Sequence, residues 1–151
     1  MATSYIWDVP SRRATRVIRY DYNAYELAGH DQDAVTLSPA GNLVLLARDS
    51  RGGANTMWST ASGTEVRLAG SRWASDAASA APVFSLDGRV VVAVTGDYRA
   101  ADFWNAATGA YRGQVVFPGH GNTSIYAVGP GGKELVTDDD YGDPYLVSSS
   151  Y

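Results

Sequence analysis

Apolar residues in this chain fall in short runs broken by turn-forming residues, with no stripe at the 3.6-residue spacing of an amphipathic helix. Ala34-Val35-Thr36-Leu37 leads into Ser38-Pro39-Ala40-Gly41, Leu43 to Ala47 follows, and Thr56-Met57-Trp58 and Glu65 to Leu68 come after two further polar breaks. The pattern predicts four short strands separated by turns. Pro82-Val83-Phe84, Val90 to Val94, Ala101 to Trp104 and Tyr111 to Phe117 repeat the same order. Continuously apolar inner runs such as Val90 to Val94 are what strands buried on both faces require.

The order also keeps a beat. Ser38-Pro39-Ala40-Gly41 returns as Ser85-Leu86-Asp87-Gly88, 47 residues on, and then as Gly129-Pro130-Gly131-Gly132 after 44 more. Trp58 returns as Trp104 and Ser62-Gly63 as Thr108-Gly109, both at an offset of 46, and Gly29-His30 returns as Gly119-His120 two periods later. Such a period means supersecondary units that cannot bury their own apolar faces and must stack.

Tyr5-Ile6-Trp7-Asp8-Val9, its relatives Thr56-Met57-Trp58-Ser59 and Asp102-Phe103-Trp104-Asn105, and the two Gly-His pairs resemble the WD-repeat β-propeller family over nearly the whole chain. The resemblance implies an all-β fold of propeller blades, each a four-stranded antiparallel sheet, in an incomplete ring. The expected units are a half blade at 1–30, blades at 31–71 and 72–120, and three strands of a blade at 121–151. Because closed propellers typically have four to eight blades, the expectation is a segment of a larger propeller or a protomer that self-associates to close a ring. The resemblance further implies that His30 and His120 are structural, tying strands through a Ser or Thr and a turn Asp. Asp49, Asp97 and one of Asp138 to Asp140 are the candidates for that Asp. Gly70-Ser71 stands where a Gly-His would be, and Val147 where the Trp would be.

Composition narrows the function classes. With 45% hydrophobic and 19% charged residues the chain is no disordered segment, and its 16 glycines suit a turn-rich β protein. Zero cysteines exclude a disulfide framework, a thiolate metal site and a thiol nucleophile, and fit a reducing, cytoplasmic setting. A net charge of −4 gives no general attraction to phosphate backbones, so no nucleic-acid partner is expected. No window suits a membrane span or an export signal, so no membrane partner is expected either. The basic residues are arginine except Lys133, a usage that fits a high-GC genome.

Candidate chemistry is sparse. His30, Asp31, His120 and the run Asp138-Asp139-Asp140-Tyr141-Gly142-Asp143 invite a metal reading, but the run lacks a twelve-residue calcium loop with its closing Glu. No metal, cofactor or catalytic residue is expected, since neither a nucleophile elbow nor a phosphate loop is present. Trp7, Trp58 and Trp104 read as structural packing residues because they are repeat-equivalent.

Trp73 breaks the repeat. The family pattern puts its segment on the same disc face as the second-to-third strand turns, which carry Arg51, Tyr98, Arg99, Tyr141 and Asp143. Aromatic and arginine side chains on one face are the stuff of protein-binding hot spots. Tyr20 and Tyr22 alternate on a predicted strand, Arg16 to Tyr25, and form a second candidate contact. The resulting expectation is a non-catalytic scaffold for a protein partner, of a family that in bacteria often forms the sensing half of larger signalling proteins. The alternative is a small-ligand or carbohydrate-binding propeller stacking its ligand on Trp73, Tyr98 and Tyr141.

Overall fold

The structure is a computed structural model, and the residues it describes are 2–20, 34–47, 56–70, 82–95, 97–117, 123–138 and 144–148. Thirteen strands run through them: β1 (Ala2–Asp8), β2 (Arg13–Tyr20), β3 (Ala34–Leu37), β4 (Leu43–Ala47), β5 (Thr56–Ser59), β6 (Glu65–Arg67), β7 (Val83–Phe84), β8 (Val90–Val94), β9 (Ala100–Asn105), β10 (Tyr111–Val116), β11 (Ile125–Val128), β12 (Glu134–Asp138) and β13 (Pro144–Ser148). They form four antiparallel sheets in chain order, β1-β2, β3-β4-β5-β6, β7-β8-β9-β10 and β11-β12-β13, which do not close on themselves.

Turn chemistry sets the hairpins. Ser38 Oγ donates to Asn42 Oδ1 at 2.8 Å and accepts from the Leu43 amide at 3.0 Å. One period on, Ser85 Oγ donates to Asp87 Oδ1 at 2.7 Å and accepts from the Val90 amide at 3.0 Å. In both, the serine is buried and the turn closes through a glycine in the left-handed region, Gly41 at φ 69 and Gly88 at φ 70. The first hairpin differs from expectation. β2 begins at Arg13, earlier than Arg16, because Val9 to Arg12 form a short turn in which Asp8 Oδ2 accepts from the Ser11 amide at 3.0 Å.

Sheets stack through apolar seams. One core joins Leu45 and Met57 of the second sheet to Phe84, Val91, Ala93 and Trp104 of the third. Another joins Val92, Val94 and Phe103 of the third to Val128 and Leu135 of the fourth. Val44 and Trp58 of the second sheet pack on Ile6 of the first. β8, central to both large cores, is buried along its whole length, as its unbroken apolar run predicts. Polar laces cross the same seams: the Leu86 amide donates to the Val128 carbonyl at 3.0 Å, and the Ala69 amide to the Gly109 carbonyl at 3.0 Å.

Candidate functional site

Register makes the repeat positions comparable atom by atom. Trp58 pairs with Val44, Trp104 with Val91 and Val147 with Leu135, so each sheet turns a Trp-type face toward the sheet before it. Met57 and Phe103, each one residue earlier, turn the opposite face toward the sheet after it, and Leu146 holds the equivalent position on the last sheet. Between sheets these positions vanish from solvent: Trp104 and Met57 are 0% exposed, Phe103 1% and Trp58 9%.

At the two ends of the stack they do not. Trp7 is 59% exposed, a departure from the packing role its repeat position predicts, because among the described residues no sheet lies against the outer face of β1-β2. Leu146 is 64% exposed, since among the described residues no sheet lies against the outer face of the last one, and Tyr126 and Val136 stand open beside it. Val35 and Leu37 on β3 are also exposed, since the first sheet has two strands where the second has four. The stack therefore ends in two unlike apolar faces, each a copy of one side of its own interior seams. Exposed apolar side chains gathered on one face make that face a candidate for interaction.

The turn between β8 and β9 carries the predicted partner residues that are described. Thr95 Oγ1 donates to Asp97 Oδ1 at 2.6 Å and accepts from the Ala100 amide at 3.2 Å, so Asp97 locks its own turn. Tyr98 sits in the left-handed region at φ 59, half-buried against the core between the third and fourth sheets, while Arg99 is exposed. Tyr98 is thus largely committed to packing. Arg51, Trp73, Tyr141, Asp143 and Tyr22, the side chain of Tyr20, and the structural candidates His30, His120 and Asp49 lie outside the described residues. Among the described residues no group of three potential metal ligands occurs.

Hydrogen bonds from Ser85 to Asp87 and from Thr95 to Asp97 hold both carboxyls below the ordinary carboxylate value. A depressed folded-state value stabilises the protein above the unfolded value, near 3.8, and that contribution is lost as pH falls through the folded one. The melting temperature is expected to decline below about pH 4, and the decline to flatten in an Asp87→Asn, Asp97→Asn double variant. An identical acid profile in the double variant would remove these turns from the account. Both groups are exposed, so the effect is small.

Sequence reasoning missed Leu146, Val136 and Asp102. The first two carry a signal only by alignment with Phe103 and Val92 across the repeat. Asp102 stands two residues before Trp104, where the other copies have Tyr5 and Thr56.

The stack of small antiparallel sheets defines a β-propeller-like protein. No family model matches the sequence, and a search of curated proteins finds no match. Solved structures do match. The computationally designed Ika4 protein has a TM-score of 0.60 at 18% identity, over 98% of this chain and 80% of that one. A chain in the Mitotic Checkpoint Complex has a TM-score of 0.58 at 15% identity, over 99% of this chain and 45% of that one, so this chain spans less than half its length. At such identities the likeness concerns the fold alone. No helix among the described residues is long and apolar enough to cross a membrane.

Proposed function

We propose that the chain is a non-catalytic, WD-repeat-like scaffold for protein–protein interaction, acting as a segment or a self-associating protomer of a propeller. One observation carries the reading: Trp7 at one end and Leu146 at the other are exposed copies of positions whose tryptophan, methionine and phenylalanine the interior seams bury. A face built like Trp104's needs a face built like Met57's, and each end supplies what the other lacks. A second copy of the chain, or further blades of a longer one, meets that requirement by the contacts already used between the second and third sheets. The similar fold within the Mitotic Checkpoint Complex adds an instance of this architecture inside an assembly.

Light scattering on a sizing column, with circular dichroism on the same peak, tests this. The expected result is association, either a discrete oligomer or a heterogeneous series, and its reversal to monomer by Leu146→Glu with the β signal unchanged. A charge placed in a seam whose equivalents are fully dry is costly enough to part it. A folded, monodisperse monomer of the unmodified chain would sink the proposal.

A further inference from the structure

A cavity of about 440 Å³ opens where the outer strand of the second sheet stops short of its neighbour. β6 has three residues and β10 six, so the face of β9-β10 extends past β6, and the chain passes along it as Ala69-Gly70. Ala69 is fixed there, its carbonyl accepting from Trp104 Nε1 at 2.8 Å and its amide donating to Gly109. Asp102, Tyr111 and Gln114 form the other wall. The volume lies within the range of about 300–1,000 Å³ usual for small-ligand sites.

Asp102 is the unusual member. It is 3% exposed, and its Oδ1 accepts from Tyr111 hydroxyl and from Gln114 Nε2, both at 3.0 Å. Neither bond reaches Oδ2. Among the described residues the ion pairs are Arg67 with Glu65 and Arg89 with Asp87, so no described cation answers this carboxylate. Burying a carboxylate is expensive without a counter-charge. The fold does not require one here, because the repeat-equivalent position on the second sheet is Thr56, buried and neutral. A carboxylate at a buried position where a neutral residue serves elsewhere, lining an open cavity, is placed to meet a cation that enters it.

We infer that this cavity is a socket for one basic side chain, arginine foremost, presented by a protein partner; only the source of that arginine rests on the scaffold reading. A guanidinium is planar and carries five donors, which suits a carboxylate and the Gln114 Oε1 side by side. The Tyr111 ring, edge-on to Trp104 at 6.0 Å between centroids, lines the same wall.

The test is an NMR titration of the full chain with N-acetyl-arginine amide, followed at the Trp104 indole resonance, with the neutral isostere N-acetyl-citrulline amide as control. Because the probe is small, the outcome does not depend on whether the chain self-associates. Saturable shifts at probe concentrations on the order of millimolar are expected for a single side chain, and none for citrulline. Asp102→Asn keeps an acceptor for both protein donors and is expected to weaken binding tenfold or more without lowering the melting temperature. Gln114→Leu, at an exposed strand position, is expected to weaken it at least threefold and keeps the test valid should Asp102→Asn misfold. No response to arginine, an equal response to citrulline, or unchanged affinity in both variants would overturn the inference. So would a response that appears only after Arg72→Gln, since the chain's own arginine, two residues past Gly70, would then be the occupant.

Discussion

Trp104→Ala is expected to lower the free energy of unfolding by about 3–5 kcal/mol, whereas Trp7→Ala in the Leu146→Glu background costs less than about 0.5 kcal/mol. The two residues have the same identity and the same place in the repeat. Their surroundings differ. Trp104 is fully buried among Leu45, Met57, Leu68 and Phe84 and donates its indole N–H to Ala69, so truncation opens a cavity and removes that bond. Trp7 loses little, because most of its ring already meets water. Without Leu146→Glu, the Trp7→Ala penalty is expected to grow with protein concentration, as mass action requires for a residue buried by association. Urea unfolding followed by circular dichroism at two protein concentrations reads all of this. Equal penalties for the two tryptophans in the parted background would mean that the seams are not what holds the stack together.

That contrast also marks where sequence reading stops. β3, β4 and β8 stand where the alternation and the Ser-x-x-Gly turns place them, because strand and turn signals are local and the buried serines act within five residues of themselves. Which copy of a repeated residue is covered is a property of the neighbouring sheet, and the local sequences of Trp7, Trp58 and Trp104 are too alike to reveal it. Asp102 was hidden for a related reason. It reads as one more letter of a Trp motif until register sets it across from Gln114 and the short β6 leaves it facing a cavity. The exposed turn residues are legible as a class, since glycine, aspartate and arginine belong in turns. Their division between packing and contact is not, and Tyr98 fell on the packing side.

The second large effect is expected at a glycine. Gly63 and Gly109 occupy equivalent turns, β5-β6 and β9-β10, with φ of 73 and 70. A left-handed alanine costs about 1–2 kcal/mol at either. Space then separates them. At Gly63 an added Cβ meets only the end of the Arg16 side chain, at 3.0 Å, which swings aside. At Gly109 it drives into the Arg67 carbonyl oxygen, with Arg67 C and Val66 Cγ1 both at 3.0 Å, and backbone cannot swing aside. This is also the point where the Gly109 carbonyl accepts from the Ala69 amide, so the clash separates the third sheet from the second at the seam that Trp104 fills. Overpacking of about 1–3 kcal/mol adds to the backbone term, giving Gly109→Ala a loss of about 2–5 kcal/mol against about 1–2 for Gly63→Ala. Because Ala69-Gly70 also walls the Asp102 cavity, Gly109→Ala is further expected to weaken N-acetyl-arginine amide binding, while Gly63→Ala leaves it intact. Matched melting curves for the two variants, each with a probe titration, decide the matter. Equal destabilisation by the two would show that the turns pay only for left-handed backbone and that the close approach at Arg67 does not hold the sheets together.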